Sequence, residues 1–133
     1  MDYTLEFGGF PQDVTVTASG EVRVPDFKHL YEALCEEPRF EAGMLILLDL
    51  CEVDMRTIPR MDAGEIGSSL AELQDRCEGC AVAVVARDPL TTALTRAAEL
   101  DESADRVDVW IACSPGEALT WLESQLALRT RSQ

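Results

Sequence analysis

The hydrophobic pattern changes its period along the chain. "YTLEF" (residues 3–7) alternates, and "VTVTAS" (14–19) puts Val14, Val16 and Ala18 on one face with Thr15 and Thr17 on the other. A period of two predicts half-buried strands. Gly8-Gly9 and Pro11 between them supply a turn. In "VPDFKHLYEALCEEP" the period lengthens: Phe27, Leu30, Tyr31 and Leu34 fall at i, i+3, i+4 and i+7, the stripe of an amphipathic helix, and Pro38 stops it. From Gly43 the rhythm changes again. "MLILLDL" (44–50) and "AVAVVA" (81–86) are apolar on both faces, as expected of parallel strands covered by helices on each side.

The later helices are predicted by their caps. Asp62-x-x-Glu65 opens a segment carrying Ile66, Leu70 and Leu73, and Asp88-Pro89 opens one carrying Leu90, Leu94, Ala97 and Ala98. Ser114-Pro115-Gly116-Glu117 combines a capping box with proline at the first helical position, ahead of Leu119, Leu122 and Leu126. "VDVWIAC" between the last two is the remaining strand, and Asp108 suggests an edge position. The predicted order is ββαβαβαβα, an α/β single domain over residues 1–133. It has a mixed sheet of about five strands, the later ones parallel, and four helices.

At 133 residues the chain is long enough to close one core without staples. No apolar run approaches the roughly 18 residues that span a membrane, and "MDYTLEF" has neither the basic nor the apolar region of a secretory leader. Five cysteines, an odd number scattered over strand-like and helix-like segments, suit a reducing compartment better than a disulfide framework. The expected location is therefore cytoplasmic. Eleven basic against 25 acidic residues leave a formal charge of −14. That field repels phosphate backbones and anionic lipid heads, so neither nucleic-acid binding nor membrane insertion is expected.

With its long loop after the central strand, this order resembles the STAS superfamily, the anti-sigma-factor antagonists and their relatives. More narrowly, the chain is similar to small stand-alone bacterial STAS-like proteins of the branch grouped with the CRAL-TRIO fold. The resemblance is carried by "PDFKHLYEALCEEPRFEAGMLILLDLCEV", the helix start at 61–70, "AVAVVARDPLTTALTRAAEL" and "PGEALTWLES", most of the chain. It implies a STAS-like fold, a non-enzymatic regulatory or protein-interaction role, and a homodimer. In antagonist STAS domains the loop corresponding to "MDAGEIGSS" reads Met-Asp-Ser-Ser-Gly-Leu-Gly and is phosphorylated on serine. Here Met61, Asp62, Ile66 and Gly67 fit, but Ala63 and Gly64 stand where the serines would be and Glu65 where the glycine would be. Ala63 and Gly64 have no hydroxyl, so no phosphorylation site is expected at that position. Asp62 and Glu65 are explained as a helix cap.

Other candidate chemistry is sparse. Cys77-Glu-Gly-Cys80 lies at the predicted end of a helix before a strand, where the helix dipole disfavours a thiolate, and no second ligand pair completes a zinc site. Two half-buried thiols in a turn are expected there. His29 is the one histidine and is expected on the surface; neither a metal nor a cofactor is predicted, since Walker loop, GxGxxG and nucleophile elbow are missing. Asp49 is singled out because it closes the most apolar strand at the carboxyl edge of the sheet, where open α/β sheets bind ligands. Arg87 and Asp88 end the neighbouring strand at the same edge, and Arg56 and Arg60 lie in the loop after Asp49. An Asp–Arg cluster could hold a polar group of a ligand, but a structural salt bridge tying the loop down is the favoured expectation. The three helix N-termini at this edge begin with Asp62, Asp88 or Ser114, whose side chains compete with any anion for the free N–H groups.

The segment from Val53 to Met61 is expected at the surface and carries Val53, Met55, Ile58 and Met61. Such an apolar, methionine-bearing loop suits either adaptable contact with a partner or a lid folded on the core. The leading expectation is thus a non-enzymatic STAS-like module that binds a protein or itself. The expected binding set is Asp49, Met55, Arg56, Ile58, Met61, Arg87 and Asp88. The alternative is a carrier or sensor of a small hydrophobic ligand lodged beneath the loop. An enzymatic reading would require Asp49 to act as acid or base with a strongly raised pKa.

Overall fold

Asp13 ties three segments together just before the second strand begins. Its N–H donates to the Leu45 carbonyl (2.8 Å), its Oδ2 accepts the Leu45 N–H (2.8 Å), and its own carbonyl accepts the Gly8 N–H (2.8 Å). The computed structural model describes residues 2–21, 24–41, 43–54, 79–87, 108–112 and 114–131. The side chains of residues 24, 25, 27, 28, 108, 109 and 129–131 lie outside this description, Phe27 of the expected stripe among them. In chain order the elements are β1 (Asp2–Phe7), β2 (Val14–Glu21), α1 (Val24–Glu36), β3 (Leu45–Asp54), β4 (Ala81–Val85), β5 (Asp108–Ala112) and α2 (Pro115–Arg131).

The strands form one mixed sheet in the order β1-β2-β3-β4-β5. β1 pairs antiparallel with β2, and every later pair is parallel. The α/β class, the mixed sheet and the edge position of β5 match the sequence pattern. Two helices are present among the described residues where four were expected. The two opened by Asp62 and Asp88 fall outside the described residues, as do Met55, Arg56, Ile58, Met61 and Asp88 of the binding set.

Strand alternation divides the core between the two faces of the sheet. On one, Val14, Val16, Ile46, Leu48, Val82 and Val84 pack beneath Leu30, Tyr31 and Leu34 of α1. On the other, Leu45, Leu47, Ala81, Ala83, Val85 and Ala112 pack beneath Ala118 and Leu122 of α2. The cap of α2 forms as its sequence predicts: Ser114 Oγ accepts the Glu117 N–H at 3.2 Å, satisfying an otherwise orphaned donor.

One expectation is overturned in β3. The strand continues to Asp54, and Val53, expected at the surface of a loop, is buried in the α1-side core. The cause is a bulge. Thr17 pairs with Asp49 and Ser19 with Glu52, so Leu50 and Cys51 together oppose Ala18. The extra residue reverses the alternation, and Leu50 and Val53, an odd number apart, face the same core. A smaller correction concerns Cys80, expected to be half-buried: it is fully buried at the foot of β4. Gly79 before it has φ +79, the left-handed conformation that a side chain disfavours.

Candidate functional site at the carboxyl edge of the sheet

Parallel strands β2 to β5 end on one edge, and there the α2 face of the sheet turns polar. Asp49 sits on β3 between Thr17 of β2 and Val85 of β4 in register. It is half-buried, and it shares a face with Cys51, two residues on. The bulge takes Cys51 out of the regular ladder, and the Cys51 N–H donates to Asp49 Oδ1 at 3.0 Å. The Cys51 thiol also lies near enough to the Asp49 side chain to donate a hydrogen bond to it.

These contacts set the chemistry of the thiol. Burial pushes it above its ordinary value of 9.0, and the hydrogen bond to Asp49, the Asp49 charge and the Glu52 charge push in the same direction. Arg87, exposed just past the end of β4, pulls the other way. Near neutral pH Cys51 is therefore a protonated donor to a carboxylate rather than a nucleophile. Asp49, Cys51 and Arg87 form one electrostatic group drawn from two adjacent strands. Asp49 is held by Cys51, and Arg56 and Arg60 of the expected Asp–Arg cluster lie outside the described residues. An ion pair joins Arg39 to Glu37 at 3.0 Å, beyond the end of α1.

Cys51 was missed by the sequence reading, although a signal existed: in a strand, a residue two positions from a singled-out Asp49 lies on its face. A second feature had no such signal. Trp110 of β5 stacks on Trp121 of α2 with centroids 6.0 Å apart and planes 16° apart. Trp110 remains 43% exposed, so the pair lies at the margin of the sheet rather than in its core.

Beneath α1 lies a pocket of ≈ 250 Å³, counted together with its opening to solvent. It is lined by apolar side chains and Tyr31: Val16, Leu30, Leu34, Ile46, Leu48 and Val82 complete it. Little of it is enclosed: the cavity proper is ≈ 10 Å³, about room for one water molecule and far short of the roughly 300–1,000 Å³ of small-molecule sites. His29 is exposed on α1, as expected. Among the described residues, no three His, Cys, Asp or Glu side chains are placed to hold a metal ion, and no helix is long and apolar enough to cross a membrane. No protein-family model matches the chain, and no curated protein matches it.

Proposed function

We propose that this chain is a non-enzymatic interaction module of STAS-like build that engages a protein partner at the carboxyl edge of its sheet. One observation carries the reading: Asp49 and Cys51 on β3 and Arg87 past β4 are gathered at that edge, with the arginine exposed. Asp49 is occupied as an acceptor for the N–H and thiol of Cys51, which favours a fixed, charged recognition surface over proton transfer. The exposed Arg87 offers a forked cation suited to a carboxylate or to backbone carbonyls of a partner. The module would act without a phosphate switch at residues 61–69, because Ala63 and Gly64 occupy the serine positions of the family it resembles. Cys35, Cys51 and Cys80 form no disulfide, in keeping with a reducing, cytoplasmic setting.

The test compares immobilised wild type with Arg87→Glu and Arg39→Glu in extract of the source cells, with bound proteins quantified. The reading expects a protein held by wild type and by Arg39→Glu and lost with Arg87→Glu. Identical profiles from all three would overturn it. Both arginines are exposed, and circular dichroism verifies that each variant is folded. The second reading, a carrier of a small hydrophobic ligand, would need the apolar hollow beneath α1 to widen well beyond its ≈ 10 Å³. A bound ligand would appear as excess mass on the native chain.

A further inference from the structure

Among the described residues the sheet ends at β1, and the protection that strand carries is limited to its exposed acids Asp2 and Glu6. Strand edges are commonly blunted by proline, lysine, a bulge or an inward-pointing charge. Asp2–Phe7 contains neither proline nor lysine, and its register against β2 is uninterrupted over all six residues. In an antiparallel strand every second residue turns its N–H and C=O away from the neighbour. Among the described residues no strand meets those groups on the outer side of β1.

The side chains are arranged as half of an interface. Leu5 and Phe7 lie on the α1 face and are only partly buried against its core, while Tyr3, on the same face by alternation, is 39% exposed. Arg39 stacks over the Phe7 ring at 4.5 Å. The other face of β1 carries Asp2, Thr4 and Glu6, all exposed. A row of apolar side chains therefore stops unfinished at the edge, and the acids lie on the opposite face.

We propose that a second copy of this chain adds antiparallel to β1 about a two-fold axis beside Leu5, joining the two sheets edge to edge. The charge pattern selects this register. Centred on Leu5, the pairing places Leu5 on Leu5, Tyr3 on Phe7, Thr4 on Glu6, and Asp2 opposite Gly8. The apolar row is continued, and no two carboxylates face each other. Centred on Thr4 instead, Asp2 would face Glu6, a like-charge pair that destabilises a sheet. Shifting by a single residue would put the apolar row of one copy against the polar row of the other. Because each chain carries −14, repulsion between copies opposes the dimer, and added salt tightens it by screening. This surface is separate from the carboxyl edge, and the proposal stands or falls without that reading.

Sedimentation of the full chain over a concentration series, in low salt and in about 1 M salt, tests the proposal. Thr4→Lys, Thr4→Glu and the charge control Thr120→Lys are compared with wild type. Thr4 and Thr120 are both exposed, and circular dichroism verifies that each variant is folded. A dimer is expected that tightens with salt. Thr4→Lys should tighten it further, and Thr4→Glu should weaken it, by roughly fivefold each because the Thr4–Glu6 contact occurs twice. Thr120→Lys should leave it unchanged within about twofold. A chain that stays monomeric in high salt leaves the edge to a strand from another protein and overturns the proposal. A dimer that Thr4→Lys and Thr4→Glu shift in the same direction, or not at all, overturns it as well.

Discussion

On the α1 face of the sheet, β2, β3 and β4 present valine, isoleucine and leucine to three large side chains of α1; on the α2 face, β4 and β5 present Ala81, Ala83, Val85 and Ala112 to Ala118 and Leu122. The first face is closed by bulk and the second by close approach of the helix to small residues. The α2 face also changes character toward β1, where Thr15 and Thr17 replace the aliphatic residues, and at the end of β3, where Asp49 and Cys51 stand half-buried. Among the described residues, the polar group lies on the face with fewer buried apolar side chains. There a bulge and a carboxylate are tolerated because each finds a hydrogen bond.

Substitutions break this comparison in graded ways. The largest effect is expected from Ile46→Ala on the bulk-closed face, about 3 kcal/mol of stability lost by chemical denaturation, since Ile46 is 2% exposed and its removal leaves a cavity. The opposite change on the other face, Ala118→Leu, should cost about 2 kcal/mol by overpacking, because Ala118 is fully buried against the sheet. If the enlargement were tolerated without loss, close approach would not be what seals α2. Ser114→Ala removes the acceptor for the Glu117 N–H and should lower stability by about 1 kcal/mol, read as a shifted denaturation midpoint with unchanged slope.

How much of this was legible in the sequence follows the range of each interaction. β1, β2, α1 and α2 announce themselves by local period and caps, because alternation and a 3.6-residue stripe are written within a few consecutive residues. Val53 was misplaced for a local reason that cannot be read locally. The bulge at Leu50–Cys51 exists only in relation to Ala18 on β2, and it inverts the faces of every later residue of β3. Asp49 was found because its position at the end of an apolar run is a one-dimensional fact. Its tie to Cys51 depends on that same bulge, and Arg87 joins them only through pairing of β3 with β4. The Trp110–Trp121 stack requires β5 and α2 to be docked, and no spacing in the sequence encodes that.

The smallest expected effect sharpens the polar side of the comparison. Asp49→Asn takes away a charge that holds the Cys51 thiol above its ordinary value, so Cys51 should alkylate several-fold faster between pH 7 and 9 while Cys80, fully buried, stays slow. Peptide-level mass spectrometry after a timed pulse reads this directly; equal rates in both proteins would leave burial as the cause and remove Asp49 as a contributor. The same shift fixes a sign for stability. A thiol that holds its proton more tightly folded than unfolded contributes stability that is whole below the unfolded value. That contribution is lost as pH rises through the folded one. Wild type should therefore lose stability relative to Cys51→Ser above about pH 9, the ordinary thiol value.

The central claim is that the chain works by contact with protein at its carboxyl edge and not by carrying a ligand in the pocket beneath α1. Native mass spectrometry of the purified chain, followed by its denatured mass, tests this most directly. The account expects the mass of the chain or of a pair of chains, with nothing added. Excess mass on the native protein that disappears on denaturation would contradict it and make the chain a carrier.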